Sequence, residues 1–219
     1  MKRLLAAFIL LGAIIIVHPA DGGPVAHKPD VRCVLRIKSE SDVIGLLGPR
    51  VQTAIGCGVN TKSGVFTAWH VVEDADRVFV IDYMGEIVQA GSWERVKKQD
   101  IAILNVDMSN LNVTTVSVAY EPLIGSVRVV CIGYWGAGHR AGAHVEIEGV
   151  IDTGAPKRYL MQDISFKTYA SVFPFLQSMS GSPIFMGGKL VAICSSIPSD
   201  GFGDGYTFSA RIDRELMDK

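Results

Sequence analysis

Residues 64–72 read GVFTAWHVV, an apolar segment that starts at a glycine and carries His70 near its end. Valine, phenylalanine and threonine favour β-strands, and the glycine marks a turn ahead of them. The segment therefore predicts a short strand that ends in a histidine. A histidine in such a place is most often structural or exposed, so other parts of the chain decide whether His70 has a chemical role.

Short runs rich in valine and isoleucine recur along the chain, with Gly, Asn, Asp, Pro and Ser between them. This period of two is typical of strands, and many short strands separated by turns are typical of a sandwich or barrel. The chain is therefore predicted to be all-β, with a short C-terminal helix over residues 211–219. The predicted strands are Val31–Ile37, Gly64–Trp69, Arg77–Asp82, Ile101–Val106, Val127–Tyr134, His144–Ile151, Lys189–Ile197 and Tyr206–Ala210.

The chain has 219 residues, of which 48% are hydrophobic, and a net charge of −1. This composition is sufficient for a buried core. The near-zero charge provides no general attraction to nucleic acid, and no basic run interleaved with aromatic residues is present. We therefore expect no nucleic-acid partner, and the sequence leaves the oligomeric state open.

Residues 1–23 have the pattern of an export signal: two basic residues, the apolar run Leu4–Val17, and then small residues. As a helix the run would be about 21 Å long, against roughly 30 Å of bilayer hydrocarbon. This favours a removable signal and an exported protein, either periplasmic or secreted. His18 fits poorly three places before the expected cleavage site, so an uncleaved membrane anchor is the alternative. Membrane contact is expected only in that case.

The remaining chain divides into a glycine- and proline-containing linker, residues 24–30, and two groups of strands, residues 31–115 and 116–219. Four cysteines are distributed over these two groups: Cys33, Cys57, Cys131 and Cys194. In an exported protein an even number suggests disulfides, and four cysteines allow three pairings. Their apolar, strand-like surroundings also suit buried free thiols, so the pairing stays open. None has metal-ligand spacing, so no metal site is expected.

Three contexts stand out in the order His, Asp, Ser. His70 follows a strand, Asp100 begins the strand-like segment DIAIL, and Ser180 lies in the small, polar segment QSMSGSPIF at residues 177–185. A serine hydroxyl needs a neighbouring base to act as a nucleophile, and histidine suits that role near neutral pH. A carboxylate bonded to the other ring nitrogen fixes the required tautomer. Small residues around the serine let backbone N–H groups approach a developing oxyanion.

Each residue alone also has an ordinary structural interpretation. Asp100 before a strand is most often a turn former, and Ser180-Gly181 is a common turn dipeptide. The three contexts in one chain, in this order and on an all-β background, favour a catalytic triad. The order also differs from those of the subtilisins and the α/β-hydrolases.

The same residues resemble the chymotrypsin-like serine proteases, and most of all their HtrA-type branch. Gly56-Cys57-Gly58 followed by the strand to His70, Asp100-Ile-Ala-Ile-Leu, and Ser180-Gly-Ser-Pro183 are similar to the triad segments of that family. The resemblance extends from about Thr53 to Ile212. It implies two perpendicular six-stranded Greek-key β-barrels, here residues 31–115 and 116–219. It also implies hydrolysis of protein or peptide substrates through an acyl-enzyme, with no cofactor.

The chain departs from the family pattern beside the nucleophile. The resemblance implies an oxyanion hole formed by the backbone N–H groups of residues 178 and 180, but Ser178 replaces the usual glycine. Glycine adopts a positive φ freely and serine does not. Met179 replaces the usual acidic or amide residue, and Ser182 replaces a second glycine. The alternative to an enzyme is therefore a weak or inactive protease-fold protein that binds peptides or proteins.

The resemblance also implies where the substrate side chain before the cleaved bond (P1) would bind. No carboxylate occupies the base of that pocket, where Pro174 falls, and Ile197 would narrow its mouth. A small or aliphatic P1 residue is therefore expected. The candidate substrate-binding residues are Pro174, Gln177, Ser195, Ser196, Ile197 and Thr207.

Overall fold

The structure is a computed structural model, and it describes residues 28–46, 48–97, 99–134, 144–152, 168–172, 178–196 and 206–212. The predicted signal or anchor (1–23) and most of the predicted linker (24–30) lie outside these residues and stay predictions. Among the described residues, no helix has both the length and the apolar character needed to cross a membrane.

The first half of the chain forms one antiparallel sheet in the order β5-β4-β1-β2-β3-β7-β6. A one-turn 3₁₀ helix (Val31–Cys33) precedes it and another (Trp69–Val71) follows β3. The strands are β1 (Val34–Gly45), β2 (Gly48–Thr61), β3 (Gly64–Thr67), β4 (Arg77–Ile81), β5 (Ile87–Gln89), β6 (Ser92–Arg95) and β7 (Ala102–Asn105).

The two edge strands of this sheet, β5 and β6, are joined by Ala90 and Gly91 alone. The N–H of Ala90 donates to Val78 of β4 (2.8 Å), and the N–H of Gly91 donates to Asn105 of β7 (3.0 Å). The connection therefore bridges the two sides of the curled sheet. With β5 and β6 counted as one bent strand, the sheet is a barrel of six strands.

The second half forms a closed barrel in the order β10-β13-β12-β11-β8-β9. Its strands are β8 (Ser126–Tyr134), β9 (His144–Asp152), β10 (Thr168–Val172), β11 (Pro183–Met186), β12 (Lys189–Ser196) and β13 (Tyr206–Arg211). The predicted all-β, double-barrel class is confirmed. The start of the predicted C-terminal helix is wrong, because Arg211 ends β13, and residues 213–219 lie outside the described part.

One hydrophobic core connects the two barrels. Phe66 and Leu104 of the first barrel are fully buried in the same cluster as Ile132, Phe185 and Ile193 of the second. Burying a side chain of this size contributes about 1.5–3 kcal/mol to the free energy of unfolding. The packed interface between the two barrels, called the seam below, therefore holds them together firmly. The predicted division near residue 115 falls in the connection between β7 and β8. The candidate catalytic residues lie along this seam.

Candidate active site

Strand pairing brings His70 and Asp100 to one end of the first barrel. β3 and β7 are antiparallel with Thr67 opposite Ala102, so the chain that leaves β3 and the chain that enters β7 lie side by side. The 3₁₀ turn Trp69–Val71 then directs His70 back towards Asp100. The sequence predicted a strand up to residue 69, whereas β3 ends at Thr67.

Both oxygens of the Asp100 carboxylate hold His70. Oδ1 accepts the backbone N–H of His70 (2.9 Å), and Oδ2 lies 2.8 Å from the ring nitrogen Nδ1. Ser195 Oγ donates a further hydrogen bond to Oδ2. Because an ionised carboxylate only accepts hydrogen bonds, Nδ1 carries the proton and Nε2 keeps its lone pair. This is the tautomer that a general base requires.

The two groups of this pair shift each other's pKa. Burial alone would lower the pKa of His70, but the hydrogen bond and charge of Asp100, with the charge of Glu73, outweigh it and raise the pKa. Burial alone would raise the pKa of Asp100, but its contacts with His70 and Ser195 outweigh it and lower the pKa. Asp100 is therefore an anion at neutral pH, and His70 is a stronger base than a free imidazole.

Ser180 lies on a tight turn at the seam between the barrels. The Ser182 N–H donates to Met179 O (2.9 Å), and the Gly181 N–H donates to Cys194 O in β12 (2.8 Å). From the first barrel, the Cys57 N–H of β2 donates to the Ser180 carbonyl (2.7 Å). The turn is thus held between β12 on one side and β2 on the other.

Two glycines permit this close approach. A Cβ at Gly181 would lie 2.1 Å from Cys57 O and 2.6 Å from Thr67 Oγ1, and Gly181 has a φ of +85°. A Cβ at Gly56 would lie 2.7 Å from Ser180 O and 2.9 Å from Val71, the residue after His70. The Ser180 turn therefore contacts the backbone of β2 directly and lies beside the segment that carries His70.

The three departures from the family pattern have separate structural accounts. Ser178 has a φ of +73°, the left-handed region that glycine adopts freely. Met179 is buried in the core of the second barrel, which explains an apolar residue before Ser180. Ser182 is fully buried, and a Cβ at Gly133 would lie 2.2 Å from its Oγ. The glycine at 133 thus makes room for the extra hydroxyl at 182.

The strained φ of Ser178 predicts a measurable difference between two substitutions. Ser178→Gly relieves the strain, whereas Ser178→Ala keeps the Cβ that causes it. We expect the glycine variant to be more stable than the alanine variant by about 1 kcal/mol. Urea unfolding of the two proteins measures the difference, and both lack the hydroxyl, so they are matched. Equal stabilities would show that φ at residue 178 carries no strain.

The remaining predicted substrate residues are only partly within the described chain. The Ser195 side chain contacts Asp100, a role that its position in the sequence did not predict. Ser196 lies in β12 and Thr207 in β13. Pro174, Gln177 and Ile197 lie outside the described residues. Cys57, part of the quoted Gly-Cys-Gly segment, was not predicted to contact the Ser180 turn, which its backbone N–H does.

All four cysteines lie in the described part of the chain and are buried free thiols. Cys131 and Cys194 are in contact, with their sulfur atoms 3.5 Å apart. Cys57 accepts a hydrogen bond from the Tyr134 N–H at 3.2 Å, and its thiol lies 3.5 Å from the Ser178 carbonyl. Burial raises the pKa of Cys33 to about 12, so its thiol stays protonated.

The double-barrel fold is that of the trypsin-like serine peptidases. A family model described as "Trypsin-like peptidase domain" matches residues 56–193. The chain belongs to this family. No curated protein matches the whole sequence closely enough to be assigned as a relative.

Solved structures of proteases have the same fold. The active form of the Rv3671c protease from M. tuberculosis is 20% identical with a TM-score of 0.63, over 90% of this chain and 89% of that one. The HtrA-type protease AlgW S227A, solved with a decapeptide, is 16% identical with a TM-score of 0.64, over 83% and 60% of the two chains. A serine endoprotease from Yersinia pestis is 21% identical with a TM-score of 0.58, over 83% and 59%.

Proposed function

We propose that this chain is a serine endopeptidase in which Ser180 is the nucleophile, His70 the general base and Asp100 the group that orients it. The observation that carries the proposal is the double contact of Asp100 with His70, which leaves Nε2 as the free basic nitrogen. The contact of the Ser180 turn with β2, next to the segment that carries His70, supports the proposal. Residues 31–115 and 116–219 then act as one protease unit.

In the proposed reaction, Ser180 Oγ attacks the carbonyl carbon of the scissile peptide bond while His70 Nε2 takes the hydroxyl proton. The backbone N–H groups of Ser178 and Ser180 donate hydrogen bonds to the carbonyl oxygen and stabilise the negative charge that develops on it. His70 then gives its proton to the leaving amine, and an acyl-enzyme on Ser180 remains. Water, deprotonated by His70, hydrolyses that ester and restores the hydroxyl.

We further propose a small or aliphatic P1 residue and a location outside the cytoplasm. Both rest on the sequence: Pro174 in place of a carboxylate, Ile197 at the pocket mouth, and the export pattern of residues 1–23. The AlgW structure contains a decapeptide, which is an observation on that protein. It supports the proposal that a protein of this fold binds peptides.

A peptide library that varies only the P1 residue tests the substrate class. We expect cleavage after alanine or valine to exceed cleavage after arginine, lysine or phenylalanine by roughly tenfold or more, the effect of about 1.4 kcal/mol of differential binding. Mass spectrometry of the products identifies the cleaved bond. A preference for arginine or lysine would contradict the proposed pocket. Peptide binding without any cleavage would favour the alternative, a peptide-binding protein.

A further inference from the structure

The hairpin formed by β1 and β2 extends beyond the barrel as an arm, which we define as residues 41–46 and 48–54. Every residue of β2 from Pro49 to Ala54 is exposed, so this part of the strand is solvated on both faces. Toward the barrel the same strand becomes buried, from Gly56 onward. The arm is therefore a two-stranded ribbon that leaves the body of the protein close to the Ser180 turn.

Three apolar side chains of the arm share one face with Asp42, and Val43 lies on the opposite face. In the β1–β2 register, Ile44 lies opposite Pro49 and Asp42 lies opposite Val51, and residues two apart point the same way. Ile44, Pro49 and Val51 are thus on one face, with Leu46 at the turn. Ile44 is 91% exposed, Val51 is 54% exposed, and Leu46 is fully exposed. Neighbouring exposed apolar side chains are characteristic of binding surfaces.

One edge of the arm is already occupied. β1 pairs with β4 up to Glu40. Beyond it, Ser41 Oγ donates to Asp74 O (2.6 Å) and the Asp42 N–H donates to Asp76 Oδ2 (2.7 Å). These contacts attach the outer edge of β1 to the loop that follows His70, so that edge offers no strand-sized site.

The outer edge of β2 differs, because in the described part of the chain β3 pairs with it only from Gly58 onward. The N–H of Cys57 points to this edge, since it donates to Ser180 O. Backbone groups alternate along a strand, so the N–H and C=O groups of Ile55, Thr53 and Val51 point to the same edge. An open strand edge of this kind pairs readily with an extended peptide.

The nucleophile turn lies between this edge and β12. Gly181 contacts β12 through Cys194 O, whereas Ser180 contacts β2 through Cys57 N. An extended substrate whose acyl side follows β12 therefore leaves Ser180 along β2. From Cys57 to Val51 is about 20 Å of strand, so substrate residues roughly six positions after the cleaved bond reach the apolar face.

Resting on the proposed function, we propose that the arm binds the leaving-group side of extended polypeptide substrates. The substrate pairs as an extra strand with the outer edge of β2, at Ile55, Thr53 and Val51. Its apolar side chains at alternate positions contact the exposed apolar residues Ile44, Leu46 and Val51. The substrates are unfolded or extended segments with an apolar stretch after the cleavage site. The occupant is a substrate chain, because the open edge of β2 begins at the residue that contacts Ser180.

Kinetics with matched peptides test the proposal. All peptides share the acyl side, and the leaving side has three residues, nine residues with valine at alternate positions, or nine with serine there. We expect the long valine peptide to exceed both others in kcat/KM by roughly tenfold, equivalent to about 1.4 kcal/mol. The variant I44S/L46S/V51T should lose this advantage and cleave the short peptide normally. Ile124→Ser, an exposed isoleucine of the other half, is the matched control.

The backbone part of the proposal has its own test. N-methylation of every second amide on the leaving side should abolish the advantage in one register and preserve it in the other, because only alternate groups face β2. Equal kcat/KM for valine and serine peptides, or an unchanged advantage in the triple variant, would overturn the proposal. So would reversible self-association that the triple variant removes while peptide kinetics stay unchanged, since the arm would then join two copies.

A binding measurement separates this proposal from the proposed activity. In the Ser180→Ala protein, the long valine peptide should slow hydrogen exchange at the amides of Val51 and Thr53, and the short peptide, which reaches only as far as Ile55, should not. Protection without cleavage of any peptide by the wild-type protein would refute the proteolytic function and preserve the arm as a peptide-binding surface. Cleavage without protection would do the reverse.

Discussion

Ser180→Ala is expected to reduce kcat for peptide cleavage by on the order of 10⁶-fold. The reason is that alanine cannot form the acyl-enzyme. The turn, its hydrogen bond from the Cys57 N–H and its own backbone N–H groups remain. Binding of the peptide should change little, because the hydroxyl contributes mainly in the transition state. Single-turnover assays with a peptide cleaved by the wild-type protein measure the loss.

Ser182→Ala is the matched control for this loss. Ser182 lies two residues away on the same turn and is fully buried, but its hydroxyl has no place in the proposed reaction. We expect its removal to change kcat less than tenfold, far below the effect at residue 180. If Ser180→Ala retained more than about 1% of wild-type turnover, Ser180 would not be the nucleophile.

Asp100→Asn is expected to reduce turnover by up to about 10⁴-fold with the fold intact. The amide can donate a hydrogen bond to Nδ1, which places the imidazole proton on Nε2, where it blocks proton abstraction from Ser180. Asp107→Asn is the matched control, since Asp107 is an exposed aspartate just after β7 whose carboxylate accepts a hydrogen bond from the Ser109 N–H. Circular dichroism and urea unfolding check the fold. Near-normal turnover in Asp100→Asn would exclude Asp100 from the triad.

The pH profile of the same variants tests the pKa of His70. His70 must be neutral to act as a base, so kcat/KM falls as the pH drops through its pKa. Asp100 raises that pKa, so the acid limb of the wild type should lie above the ordinary histidine value of about 6.5. Asp100→Asn removes the raising charge and leaves the burial that lowers the pKa. The residual activity of the variant should therefore extend to more acid pH.

Strands with dense β-branched residues were predictable from the sequence, whereas β2 was not. Gly56 and Gly58 interrupt its pattern, and the apolar–polar alternation of residues 49–52 stops at Thr53. The start of the first strand was predicted three residues early. Asp30 explains the difference, because its carboxylate accepts the Arg32 N–H (3.0 Å) and stabilises a 3₁₀ turn before β1.

The candidate catalytic residues were recognisable because their local contexts are unusual in combination. What brings them together was not, since strand pairing is a long-range property. The opposition of Thr67 and Ala102 places His70 beside Asp100. Likewise, Pro183 of β11 pairs with Ile193 of β12, which places Ser195 beside the Ser180 turn. Neither register can be read from a periodicity of two.

The most direct measurement of the central claim is covalent labelling with a fluorophosphonate, followed by mass spectrometry to locate the adduct. The serine oxygen displaces fluoride at phosphorus, and only a serine activated by a neighbouring base reacts quickly. We expect one adduct, on Ser180, in the wild-type protein and none in Ser180→Ala or His70→Ala. An adduct on another residue, or no labelling of the folded wild-type protein, would contradict the assignment of Ser180, His70 and Asp100 as a catalytic triad.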